Sequence, residues 1–157
     1  LAHYAELYTF PPDYDLLVEL KLGVRRDRSA CDFFDDEVYA RGVLDLVVRS
    51  NKHPDVALLI DHKTGKVRED ASELRFHAML LKAHFPFLKS IKGWYNWLNI
   101  CKMGTVYDLT STEPEWTRIK TRHAQIAQMH ALGEPAFAPR QGPLCPWCPV
   151  VACRFHP

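Results

Sequence analysis

The sequence predicts an α/β fold in which a central mixed β-sheet is flanked by helices. Segments of strand length rich in Val, Leu and Ile are interleaved with two longer segments of helical period, instead of being segregated from them. One strand segment, Val56 to Thr64, is apolar on both faces until Asp61, as expected for a strand covered on both sides. With 157 residues, 47% of them hydrophobic, the chain fits one compact domain.

In chain order, Leu1 to Tyr8 reads as the end of a helix, closed by Pro11 and Pro12, whose rings cannot continue it. Leu16 to Val24 is a β-branched and Leu-rich strand that carries Glu19, and Asp27 to Asp36 is polar and turn-like. Val38 to Arg49 and Val56 to Thr64 are further strands, separated by a turn from Ser50 to Asp55 that contains Pro54. Asp70 to Phe85 has helical period, with Leu74, Ala78 and Leu81 on one stripe and Pro86 as its stop. Leu88 to Ile100, rich in Trp and Tyr, and Lys102 to Leu109 read as strands around a turn at Asn99 to Gly104. Thr112 to Leu132 is a long helix, ended by Gly133. Residues 1–133 thus make the core, and 134–157 a Pro- and Cys-rich tail expected to pack on the same domain.

Twenty Lys and Arg against 19 Asp and Glu leave a net charge of +1, which argues against a protein that coats nucleic acid by charge alone. No segment approaches the roughly 20 apolar residues of a bilayer span, and the opening lacks a charged-then-apolar leader pattern. The expectation is a soluble, intracellular (cytoplasmic) protein with no membrane partner. The chain opens on Leu1 within a helical segment, as a fragment lacking upstream residues would.

The chemistry concentrates at a few positions. Alternate side chains of a strand share a face, so Asp61 and Lys63 point one way and His62 the other. Asp45 lies on the strand that the short turn makes antiparallel to this one, Gly42 three residues earlier allows a close approach, and Glu19 comes from the strand before. Carboxylates at adjacent strand ends suit a hard divalent cation, Mg²⁺ or Mn²⁺, held by Asp45, Asp61 and the backbone carbonyl of His62. Such an ion acidifies a bound water and neutralises a scissile phosphate, while Lys63 orients or deprotonates that water. A lone Asp-x-Lys is usually a surface ion pair. Two aspartates within otherwise apolar strands favour a site, because burying them without a partner is expensive.

The pattern Glu19, Gly42-x-x-Asp45 and Ile60-Asp61-His62-Lys63-Thr64-Gly65 resembles the PD-(D/E)xK superfamily. The closest resemblance is to its RecB-like branch of small phage and CRISPR-associated exonucleases, over about residues 3 to 156. It implies a restriction-endonuclease-like core and makes Glu19, Asp45, Asp61 and Lys63 the catalytic and metal-binding set, with His3 as a further metal ligand. It also implies an exonuclease of phage-type recombination or DNA repair, acting in the host cytoplasm if phage-encoded, with DNA as substrate and a single-strand annealing protein or a helicase as partner. The family follows its lysine with a helix bearing Gln and Tyr four residues apart; here Glu73 and His77 occupy one helix face as candidate site-lining residues. Glu73, three residues after Asp70, equally completes a capping box.

In the tail, Cys145, Cys148, Cys153 and His156 form a complete tetrahedral ligand set for structural Zn²⁺. The resemblance favours an iron–sulfur cluster (4Fe-4S) completed by an upstream cysteine, whereas Cys31 and Cys101 read as free thiols. Lys92 and Lys102, interleaved with Trp94, Tyr95 and Trp97, are candidate DNA contacts. The competing functional class is a non-catalytic nucleic-acid-binding or adaptor module with a structural zinc tail.

Overall fold

A computed structural model describes residues 10–68 and 70–156, so His3 and the helix expected over Leu1 to Tyr8 lie outside the described residues. The strands are β1 (Tyr14–Val24), β2 (Ala30–Cys31), β3 (Ala40–Ser50), β4 (Val56–Lys63), β5 (Ser90–Trp97), β6 (Lys102–Met103) and β7 (Tyr107–Asp108). Helix α1 (Ser72–His84) joins β4 to β5, α2 (Glu113–Leu132) follows β7, and two 3-10 turns span Glu134–Phe137 and Cys145–Trp147. Among the described residues the sheet has seven strands in the order β2-β1-β3-β4-β5-β6, with β7 also on β5. Tight turns make β1, β3 and β4 antiparallel, whereas the α1 crossover makes β4 and β5 parallel, giving the mixed sheet that the sequence predicts.

The expected strand over Lys102 to Leu109 is divided in two. The Gly104 N–H continues the ladder to the Tyr95 carbonyl at 2.7 Å, but Tyr107 pairs with Gly93, so one extra residue bulges between Gly104 and Tyr107 and divides the strand into β6 and β7. The turn-like segment Asp27 to Asp36 contains the short β2, which extends the hairpin from β1. Both departures involve two-residue strands, too short for alternation to register in sequence.

The core lies between the sheet and α1. Leu74, Ala78 and Leu81, the stripe expected from the sequence, are fully buried with Met79 and Leu80, as are Leu44, Val47, Leu59 and Ile60 of the sheet. A Cβ at Gly93, which pairs with Leu59, would sit 2.8 Å from the Leu59 carbonyl oxygen and 2.7 Å from Leu109 Cδ1. Gly93→Ala is therefore expected to destabilise the fold by about 1–3 kcal/mol through overpacking, read as a lower urea midpoint.

The feature that positions the site is a fork. Pairing of β1 with β3 runs from Tyr14–Ser50 to Val24–Ala40, and that of β4 with β5 continues to Lys63–Trp97. Between β3 and β4, however, pairing ends at Leu46–Ile60. Beyond it β3 stays with β1 and β4 stays with β5, so the sheet opens where Asp45 and Asp61 stand. Gly42 admits α1 at this point: its Cβ position is 2.9 Å from Leu80 Cδ1 and 3.4 Å from His77 Cδ2.

Two compact units divide the chain, Leu1–Trp116 and Thr117–Pro157. In the first, Arg28 clamps the start of α2 by a bidentate ion pair to Glu113 and by stacking 5.3 Å from the Trp116 ring. The second holds the rest of α2 and the two 3-10 turns, with Leu144, Trp147 and Val151 exposed. Among the described residues no helix is long and apolar enough to cross a membrane.

Candidate active site

At the fork a side chain replaces the missing strand pairing. Asp45 Oδ2 accepts the His62 backbone N–H at 2.8 Å. Because the N–H and C=O of one strand residue face the same edge, the His62 carbonyl is turned to that edge as well.

Asp61 is only 3% exposed. Its Oδ2 lies 2.7 Å from Lys63 Nζ, which also lies 2.7 Å from Glu73 Oε2 and 5.6 Å from the Tyr95 ring centre. Asp61 Oδ1 faces His77 Nδ1 at 4.0 Å, beyond hydrogen-bond range. The Lys63 ammonium thus partners Asp61 Oδ2 as a close ion pair, whereas His77 Nδ1 is buried with no hydrogen-bond partner among the described residues. A bare buried nitrogen facing a carboxylate is costly unless something polar fills the gap.

Burial pushes the Asp61 carboxyl up to about 6; the neighbouring Lys63 ammonium pulls against this, and the charges of Glu73 and Asp45 add to it. Burial disfavours the Lys63 ammonium too, but the carboxylates of Asp61 and Glu73 outweigh it and hold its pKa above the ordinary lysine value. Burial lowers the His77 pKa, so its ring is neutral at physiological pH.

The structure thus brings Asp45, Asp61, Lys63, Glu73 and His77 together at one fork. Asp70 Oδ1 accepts the Ser72 N–H at 2.9 Å in a turn just before α1, whose N-cap, Ala71, offers no side-chain cap bond, while Glu73 turns to Lys63. Glu19 stands opposite Asp45 in the β1–β3 register, at the one position where that ladder is interrupted. It is exposed and has a left-handed backbone (φ 50°). Among the described residues the other positive-φ non-glycines, Arg28 and Cys101, lie in turns, which leaves Glu19 as the strained residue within a strand. Such strain costs about 1–3 kcal/mol and clusters at functional sites.

Lys102 lines a cavity beside the fork, whereas Lys92 lies five residues before Trp97 on β5, opposite Asp108. Lys66 and Arg68, absent from the residues read as functional in the sequence, line the same side of the fork as Lys63, together with Tyr95, which the sequence placed only among the aromatics beside the candidate DNA contacts. Parallel pairing sets Tyr95 beside Asp61 and Trp97 beside Lys63.

The donor set suits a hard cation by its chemistry, since Asp45 and Asp61 offer carboxylates, and His62 a carbonyl, at the same fork. Among the described residues no three His, Cys, Asp or Glu side chains close on one point, so the carbonyl or water must complete the ligand set. In the second unit Cys145, Cys148 and Cys153 are free thiols, and Cys145 Sγ accepts the Gly142 N–H at 3.2 Å. Backbone turns tie Cys148 to Cys145 and His156 to Cys153. Among the described residues Cys145, Cys148, Cys153 and His156 do not close on one point, so the tetrahedral set expected from their spacing is not assembled here.

A family model described as PD-(D/E)XK nuclease superfamily matches residues 11–153, from before β1 to the third tail cysteine. No curated protein matches the chain.

Proposed function

From the premise that this chain belongs to the PD-(D/E)XK nuclease superfamily, we propose that it is a metal-dependent deoxyribonuclease degrading DNA from its ends in recombination or repair. The observation that carries this reading is Asp61: a carboxylate almost fully buried at a sheet fork, with the Lys63 ammonium clamped against one oxygen and the other facing His77 beyond hydrogen-bond range. Asp45, Asp61 and the His62 carbonyl would hold Mg²⁺ or Mn²⁺. When bound, the ion supplies an acidified water and neutralises charge on the phosphate.

The protein groups have separable roles in this proposal. Lys63, kept protonated by its two carboxylates, holds the attacking water or a phosphate oxygen and offsets developing negative charge, rather than accepting a proton. Glu73 positions that ammonium, and neutral His77 closes the buried side of Asp61. Cys145, Cys148, Cys153 and His156 would hold zinc, or the cysteines an iron–sulfur cluster, pinning the tail. The cytoplasm is the proposed setting, with an annealing protein or helicase delivering DNA.

End-labelled linear and closed circular DNA, incubated with Mg²⁺ or Mn²⁺, test the reading. Loss of linear molecules alone is expected, EDTA abolishes it, and nicking of circles would overturn action from ends. Acid dependence gives a second test. Protons compete with the cation for Asp61, so cleavage at limiting Mg²⁺ should fall as pH drops through about 6 and recover with added metal. A midpoint near 4 that ignores metal concentration would remove Asp61 from the ligand set.

A further inference from the structure

Two cavities of about 330 and 340 Å³ lie side by side along the mouth of the fork and share Arg68, Tyr95 and Trp97 in their walls. Each is at the small end of the range for a molecular binding site. The inner one begins at Lys63 and Glu73 and includes Lys66. The outer one continues past Ile100, Lys102 and Met103 to Thr105 and Tyr107. Together they form a groove with one end at the proposed reaction centre.

The lining has two chemistries in register. Lys66, Arg68 and Lys102 are exposed, and among the described residues no ion pair engages them. The acids at the inner end are occupied: Glu73 by Lys63, and Asp70 by the Ser72 hydroxyl and N–H. Between the cations the walls are apolar, with Val67, Ile100 and Met103 each about half exposed. A path of cations with exposed apolar walls matches a polymer that alternates phosphates with flat apolar faces. In a duplex those faces are stacked on one another and cannot meet the walls, whereas an unpaired strand leaves them free. We infer that this groove takes the unpaired strand running out of the reaction centre, one nucleotide per cavity, so that single-stranded DNA is the form engaged. The inference rests on the nuclease reading of the fork, since that reading places a phosphate at its inner end.

The segment from Lys102 to Asp108 carries one bulged residue between Gly104 and Tyr107, and Thr105 and Tyr107 stand in the wall of the outer cavity on either side of that bulge.

Binding of fluorescein-labelled hexathymidylate in Ca²⁺, followed by anisotropy, tests the groove without requiring cleavage. Arg68→Ala/Lys102→Ala should weaken binding at least 10-fold and lower the slope of log Kd against log salt by about 1.4, or 0.7 per lost single-strand phosphate contact. Thr105→Trp keeps every charge and plugs the outer cavity, so it should weaken binding comparably with the salt slope unchanged. Wild-type affinity in both variants overturns the groove, whether or not the protein cleaves DNA. Weakened binding in a protein that cleaves no DNA with Mg²⁺ or Mn²⁺ keeps the groove and removes the nuclease reading instead.

Discussion

Asp61→Asn is expected to lower Mg²⁺-dependent DNA cleavage by roughly three orders of magnitude, the effect of losing several kcal/mol of metal-borne stabilisation. The same variant should be more stable than the wild type without metal. The folded-state pKa of Asp61, about 6, lies above the ordinary 3.8 because of burial, so the folded state favours the neutral acid. That preference supports folding below pH 4 and is lost as pH rises through 6, leaving a buried charge at neutrality. An asparagine carries no such charge, so the metal-free melting temperature at pH 7 should rise by about 5 °C, and the gap should vanish at pH 4. A structural aspartate would behave in reverse, since its loss would cost stability and leave chemistry to other groups. Thermal melts in EDTA at the two pH values, beside cleavage assays, separate the cases.

Lys63→Met should reduce cleavage about 100- to 1000-fold, the usual scale for removing a donor aimed at developing charge. Lys63→Arg discriminates between roles. Arginine keeps the charge but cannot give up its proton. If Lys63 acts as a fixed cation between Asp61 and Glu73, arginine should recover part of the rate. If it acts as a base, arginine should recover none, and the wild-type rate should climb with pH as the lysine deprotonates. The raised pKa of Lys63 supports the first outcome and a rate with no lysine limb below pH 10.

The sequence made much of this site legible because its residues obey short-range rules. The two-residue period aligns Asp61 with Lys63, and the short turn at Pro54 sets β3 against β4 and so Asp45 near Asp61. The ambiguity at Glu73 was also local: a capping box and a catalytic helix face use the same spacing, and only the fold shows that α1 has no side-chain cap bond while Glu73 reaches Lys63. Features that depend on distant register were not legible. Tyr95 reaches the site through parallel pairing across the whole of α1, and a parallel register leaves no mark in either strand alone. The fork has no sequence signature beyond Gly42, which read as room for substrate or backbone and in fact receives Leu80 and His77 of α1. The wall of the groove includes the one-residue bulge between Gly104 and Tyr107, which alternation alone does not reveal. The left-handed backbone of Glu19 was equally hidden, because glutamate gives no warning of it.

The bond from the His62 amide to Asp45 has a mechanical consequence. Closing the gap between β3 and β4 would strip that amide of its acceptor, or bury the carboxylate between two strands. Neither route is downhill, so the cleft is preorganised: the work of parting the two strands is done when the chain folds, and an arriving cation or nucleotide need not repeat it.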